Sequence, residues 1–396
     1  MRLLPHRRVS RRVWPRVDRR LLLAGFGVLA IAGALLLGVL APPASSGSSD
    51  ARAATRPQLI VSRFSEDEST LWLVDPEDPG QRQTLFSIEH APGWDVEGVV
   101  APGGGRIALL VVPAGASDPG SDAHLLLSDG GTPRLLVAGL DLRGGLAWST
   151  DSAQIFARRS TTDGDGVVRT SLLAIDAASG ETDTLLQHHP VGQHHTVGAI
   201  YPIGRPLSGP IYAVTVGLGG SHLLTIADDG VSTRMLTSTV TRDWTLSPDG
   251  AQLAFTAQQG LELEVLVVSL QDAALAPAQV APAPVATEQS ATTQPAAGSA
   301  APAWRPNGEL SIGRFRGPLA VAASAGESAV PGFTLPAGWS PDGAYLALRS
   351  FDGIGPGAPG TESIVLQTSA GTRVGEAPRV VEGQDLRIIG WWYASP

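Results

Sequence analysis

The chain has 396 residues, 43% of them hydrophobic and 16% charged, enough to bury a large core in one big domain or two ordinary ones. It has no cysteine, which excludes disulfides, thiolate zinc sites, a cysteine nucleophile and a lipidated cysteine anchor, and its 47 Gly and 31 Pro favour many turns over long helices. Residues 1–20 carry +7, eight Arg against one Asp, while the whole chain is −9; the remainder is acidic at −16, a poor match for phosphate backbones, and no nucleic-acid partner is expected.

Residues 1–20 read as a basic cytoplasmic arm, and residues 21–41, "LLLAGFGVLAIAGALLLGVLA", contain no charge. A helix of that length is about 30 Å long, the thickness of a bilayer core. Arginines before the segment and none directly behind it orient the N-terminus to the cytoplasm and the body outside. The best small-residue cleavage site, Val39 to Ala41, is followed by Pro42, which disfavours signal peptidase, so an uncleaved anchor is expected. Residues 42–57, "PPASSGSSDARAATRP", read as a flexible tether.

From Gln58 onward the sequence repeats. "LSPDGAQLAFTA" (246–257) and "GWSPDGAYLALRS" (338–350) share Ser-Pro-Asp-Gly, two residues, and an apolar strand. Pro presets φ, Asp caps through its side chain and Gly takes positive φ, so each motif predicts a hairpin turn. Weaker copies begin near 99, 147, 203 and 303, and the column holds Pro102, Thr150, Pro206, Pro248, Pro306 and Pro341. The variable spacing centres near 45 residues, a blade-type period. After most turns come another strand, an Asp/Gly turn and a fourth strand, as in "SLLAIDAASGETDTLLQ" (171–187). Every unit then reads as four antiparallel strands a–b–c–d, with the Pro-Asp-Gly turn between a and b, which is the pattern of a β-propeller.

The repeat resembles the WD40-like (PD40) repeat of the TolB propeller, shared with the propellers of prolyl-oligopeptidase-type peptidases. It is carried by Pro341, Asp342 and Gly343 after Trp339 and Ser340, and by Pro248, Asp249 and Gly250 after Ser247. Partial copies are Trp148, Ser149 and Asp151, then Trp304, Pro306, Asn307 and Gly308. The resemblance spans about 58–396 and implies an all-β propeller; the amino-terminal domain of TolB has no counterpart, so its role is not implied.

Residues 271–302, rich in Ala, Pro, Thr and Gln, read as a disordered insertion in the fifth unit. The first unit, from "QLIVSRF" (58–64), lacks an a strand, and "DLRIIGWW" (385–392) is an a strand without a unit. Pairing these two closes the ring and packs Trp391 between blades. The expected fold is therefore all-β, a seven-bladed β-propeller of four-stranded antiparallel blades at 58–396, preceded by one N-terminal transmembrane helix.

Few motifs suggest chemistry. His188, His189, His194 and His195 in "HHPVGQHH" are paired imidazoles of the kind that bind Zn or Ni. Pro190 and Gly192 put them in a loop without Cys or an ordered carboxylate series, so a solvated loop is expected and no metal or cofactor. "TTDGDGVVR" (161–169) lacks a calcium loop's closing Glu and reads as a hairpin tip. Ser-Pro-Asp-Gly departs from the sialidase Asp box, and no G-x-S-x-G hydrolase elbow occurs. The Trp residues near a strands read as packing between blades.

These features point to a monomeric, membrane-tethered, extracytoplasmic module that binds a protein, peptide or glycan without catalysis, as suits a rigid ring with loops on two faces and a central channel. The rival reading is a propeller enzyme of lyase, lactonase or glycosidase type, its site at the channel mouth with convergent ionisable groups around it. The orientation has a direct test. Protease added outside intact cells is expected to digest the body and leave a small membrane-bound stub; protection of the body until the cytoplasm is opened would reverse the assignment.

Overall fold

The middle strands of each repeat are apolar on both faces, because each sheet is sandwiched between two others. The computed structural model describes residues 56–393 apart from 119, 163, 166, 189–198, 261, 272–297, 315–331, 354–358 and 377–384. Its strands, β1 to β25 in chain order, form antiparallel sheets that are the blades of a β-propeller. Blade 1 holds β1 (Gln58–Phe64), β2 (Glu68–Asp75) and β3 (Asp78–Glu89), and is completed by the last strand, β25 (Asp385–Trp392). Blade 2 is β4 (Glu97–Val100), β5 (Ile107–Val111), β6 (Ala123–Ser128) and β7 (Arg134–Leu140). Blade 3 is β8 (Leu146–Trp148), β9 (Gln154–Thr162), β10 (Val168–Asp176) and β11 (Thr182–His188). Blade 4 is β12 (Ala199–Gly204), β13 (Ile211–Gly217), β14 (Gly220–Ala227) and β15 (Gly230–Thr237). Blade 5 shows β16 (Thr241–Leu246), β17 (Gln252–Gln259) and β18 (Glu262–Ser269). Blade 6 is one sheet of β19 (Ser299–Trp304), β20 (Leu310–Arg314), β21 (Phe333–Trp339), β22 (Tyr345–Phe351), β23 (Glu362–Thr368) and β24 (Arg373–Glu376).

The expected seven blades are thus corrected to six among the described residues. Seven a strands are present, but two share a sheet. Among the described residues strand β20 pairs with β21 at Arg314 and Thr334, which joins the hairpin β19–β20 to the next unit in one sheet. The insertion's predicted end also moves, since 299–302 belong to β19. Their Ala composition reads as low complexity, yet Ala300 and Ala303 are buried and Ala301 takes φ 53° in a bulge. The 21–41 segment lies outside the described residues, and among those described no helix is long and apolar enough to cross a membrane.

The core lies between blades. Ile60 and Leu71 of blade 1 meet Ile107 and Leu109 of blade 2. Leu110 and Leu125 meet Trp148 and Ile155, and Phe156 and Leu172 meet Ala213 and Leu224. Val214 and Leu223 meet Leu253 and Phe255, and Ala254 and Val267 meet Leu310. Finally Ala347, Ile364 and Leu366 of blade 6 meet Leu59, Val61 and Trp391 of blade 1, which completes the circle. Each fully buried large side chain contributes about 1.5–3 kcal/mol.

Closure depends on one pairing. Strand β25 runs antiparallel to β1 from Gln58 opposite Trp392 to Phe64 opposite Asp385, with a bulge between Ile60 and Val61. Trp391 is 6% exposed, and its Nε1 donates to the Gly338 carbonyl of the neighbouring a strand at 3.0 Å. Just beyond, the Tyr393 hydroxyl accepts from Asp342 N at 3.1 Å, and Tyr393 N points to Gly104 O at 3.4 Å. One residue thereby joins the a–b turns on either side of the closing blade. Trp391→Ala is expected to cost about 3–5 kcal/mol through lost burial and the cavity left behind. Chemical denaturation checks this, and an unchanged midpoint would mean that closure does not rest on Trp391.

Candidate functional site

Antiparallel alternation sorts the connections onto two faces. The a–b turns emerge on one, and the b–c and d–a loops on the other. The residues singled out by the repeat occupy the first face and act structurally. Ser149 Oγ donates to Asp151 Oδ1 at 2.5 Å and accepts from Gln154 N at 2.9 Å, while Asp151 Oδ1 accepts from Ala153 N at 3.0 Å. Ser247 and Asp249 repeat this with Ala251 and Gln252, and Ser340 and Asp342 repeat it with Ala344 and Tyr345. The serine hydroxyl, and after it the backbone N–H, holds the carboxyls of Asp151 and Asp249 below the usual range. Gly250 and Gly343 supply the positive φ, 69° each, and Asn307 with Gly308 forms the weaker copy, in which Asn307 Oδ1 accepts from Glu309 N at 3.0 Å. Pro102 and Pro206 lie in the corresponding turns of blades 2 and 4. Of the histidines, His188 ends β11, while His189, His194 and His195 lie outside the described residues. Among the described residues no three His, Asp or Glu side chains group as a metal site.

The opposite face carries a cavity of about 240 Å³ at the inner ends of blades 1 to 3. Phe64 lines it from the end of β1, Arg387 from β25, and Trp94, Asp95 and Glu97 from the d–a loop and start of β4. Leu142 and Arg143, in the short 3-10 turn Leu142–Gly144 before β8, form the third wall. The lining mixes apolar rings with two acids and two guanidinium groups.

Asp95 is fixed from several sides. Its Oδ1 accepts from Val96 N at 2.7 Å and from Ser69 Oγ at 3.3 Å, and its Oδ2 lies 2.6 Å from Arg387 Nε. Ser69 Oγ is also 3.1 Å from His90 Nε2. His90 Nδ1 sits 3.0 Å from the Ala91 carbonyl, which only accepts, so Nδ1 carries a proton and Nε2 faces the serine. Both side chains are buried, Ser69 at 0% and His90 at 1% exposure, and Phe64 stacks on the imidazole at 5.4 Å. This Ser–His contact supports Asp95 and Phe64 from beneath and presents no nucleophile to the cavity.

Glu97 is different. Burial pushes its carboxyl up to about 7, against smaller opposing effects of Arg387 and then Arg158. Arg158 is itself committed, its Nε donating to the buried Asp141 carboxylate at 2.6 Å. The cavity therefore holds one carboxyl poised between acid and carboxylate near neutrality.

The sequence reading placed the repeat turns and missed Asp95, Glu97, Arg143 and Arg387 as a group. "GWDVEG" (93–98) does carry Trp and two acids ahead of a strand, but Arg387 lies at the far end of the chain and joins them only through ring closure.

No protein-family profile and no curated protein matches the chain by sequence. Solved structures match it at low identity. TolB from Acinetobacter baumannii is 13% identical with a TM-score of 0.45, and the match covers 81% of this chain and 62% of TolB. A putative 6-phosphogluconolactonase from Bacteroides uniformis is 15% identical with a TM-score of 0.48, covering 84% of this chain and 99% of that one. A puromycin-hydrolyzing peptidase from Mycobacterium tuberculosis is 15% identical with a TM-score of 0.44, covering 86% of this chain and 55% of the peptidase.

Glu97 gives the fold a pH signature. Its carboxyl keeps its proton to about pH 7 when folded, against an ordinary value of 4.5. The folded state therefore binds the extra proton between those values, and stability falls as pH rises from 4.5 to 7 and levels off above. The contribution is at most about 3 kcal/mol. Glu97→Gln is expected to flatten this slope in melting experiments run across that range; an unaltered slope would assign it to other groups.

Proposed function

We propose that the chain is a membrane-tethered, extracytoplasmic propeller that acts as a non-catalytic binding module for a protein, peptide or glycan, with the cavity on the d–a face as its recognition point. The observation that carries this reading is the lining itself. Phe64, Trp94 and Leu142 offer apolar contact, and a few fixed polar groups stand among them. Such mixed concave surfaces orient a ligand, whereas an enzyme site concentrates several ionisable groups with displaced pKa values. Here the Ser69–His90 contact is buried beneath the cavity wall and presents no nucleophile to it. The arm and apolar segment at 1–41 support the tether and the outward orientation.

The second reading is an extracytoplasmic hydrolase or lyase. It is favoured by Glu97, since a carboxyl near neutrality suits general acid–base chemistry. One experiment separates the two. Full-length chain in detergent micelles is tested on immobilised peptide and glycan arrays, and positives are measured in solution. Binding without turnover is expected, and Trp94→Ala is expected to weaken it at least tenfold at a temperature where the variant is still folded. Turnover of a bound ester or glycoside that Glu97→Gln abolishes would replace the binding reading with the enzymatic one.

A further inference from the structure

The charges around the cavity do not cancel in place. Asp95 and Arg387 form a compensated pair at 2.6 Å. Glu97 and Arg143 are left over. Among the described residues neither has an ion-pair partner within 4.0 Å, and both line the same cavity without reaching each other. The exposed Arg143 guanidinium lies 5.7 Å from the centroid of the Trp94 ring. Glu97 is half-buried and Arg143 exposed, so each leaves a charged group open to an opposite charge on a ligand.

We propose that the cavity takes a small amphoteric ligand of amino-acid type, its carboxylate on Arg143, its ammonium on Glu97 and its apolar side chain against Phe64 and Trp94. This deepens the binding reading above and rests on it. The volume agrees. At about 240 Å³ the cavity is smaller than the roughly 300–1,000 Å³ of sites that enclose drug-sized ligands, and suits a single residue-sized molecule. The aromatic wall is fixed in advance, because Phe64 is stacked on the buried His90. A wall already ordered costs little on binding. Asp95 is already neutralised by Arg387, which leaves Glu97 as the acid for the ammonium.

The groups facing Glu97 settle how binding responds to pH. Arg387 faces it from β25 and Arg158 from β9, both cations that favour the carboxylate, with Arg143 across the cavity and Asp95 two residues before it. Burial outweighs them in the free protein and keeps the proton on until about pH 7. A bound ammonium favours the carboxylate, so binding below that pH releases a proton. Affinity then rises with pH and levels off above about 7.

The test uses the full-length chain in detergent micelles and isothermal titration calorimetry. The probes are L-phenylalanine, its N-acetyl derivative and its carboxamide. The free amino acid is expected to bind, and either cap to weaken binding at least tenfold. The affinity for L-phenylalanine is expected to rise close to tenfold per pH unit between 5.5 and 6.5. Glu97→Gln is expected to abolish that pH dependence, and Arg143→Ala to remove discrimination against the carboxamide. Caps without effect, or an affinity independent of pH, would overturn the proposal. So would absence of L-phenylalanine binding while a blocked peptide or a glycan binds in a Trp94-dependent way, and in that case the broader binding reading stands. If no probe binds and Glu97-dependent turnover is found, both readings fall together.

Discussion

The pairing of β25 with β1 is the constraint from which the rest of the structure follows. A propeller blade buries its two faces only against neighbours, so a row of blades left open exposes two apolar faces and two strand edges. In this chain those exposed surfaces belong to the first and last repeats. The chain starts its first blade one strand short and supplies that strand from residues 385–392. Main-chain hydrogen bonds and two buried tryptophans, Trp391 and Trp392, then hold the ends together. Residues 386–392 are largely apolar because they belong to the innermost strand of a blade.

The same logic spaces the remaining blades. Trp148 Nε1 donates to Val99 O at 3.2 Å, Trp304 Nε1 to Thr245 O at 3.2 Å, and Trp391 Nε1 to Gly338 O at 3.0 Å. In each case a tryptophan on one inner strand reaches the inner strand of the blade before it. An indole is large enough to fill the wedge between inner strands, and its single N–H finds a main-chain partner there. On the turn face, Arg106 reaches the Ser152 carbonyl and Arg305 reaches the Gly343 carbonyl at 3.1 Å, so one Ser-Pro-Asp-Gly-type turn is tied to the next. The repeat motif is thus a device for uniform turns that neighbours can grip.

This explains how much was legible in the sequence. Ser-Pro-Asp-Gly encodes its hydrogen bonds within six residues, and the middle strands encode burial as short apolar runs. Both signals are local, so turns, strand order and closure could be read directly. The blade count could not. It turns on whether β20 pairs with a strand of its own unit or with β21, and the single pairing of Arg314 with Thr334 has no local signature. Residues 299–302 misled for a related reason. An Ala-rich stretch looks like a linker by composition, but alanine is small enough for the bulge that carries Ala301 N to Thr256 Oγ1 at 3.1 Å. The cavity was hidden for the opposite cause. Glu97, Arg143 and Arg387 come from three different blade junctions, and only the closed ring assembles them.

Closure and recognition are therefore physically coupled. Arg387 sits on the closing strand, and its partner Asp95 sits on the loop entering blade 2, so their ion pair crosses the junction between the closing blade and blade 2. That pair is half exposed on the arginine side, at 55%, and by itself adds little stability. Its effect is positional. It neutralises Asp95 and leaves Glu97 as the uncompensated acid of the cavity. A ligand that binds only the assembled cavity stabilises the closed ring by mass action, about 2.7 kcal/mol when present at a hundred times its dissociation constant. That is comparable with burying one large side chain. Occupancy of the cavity and integrity of the ring thus report on each other, because the last strand of the chain is both the closing strand of the propeller and one wall of its site.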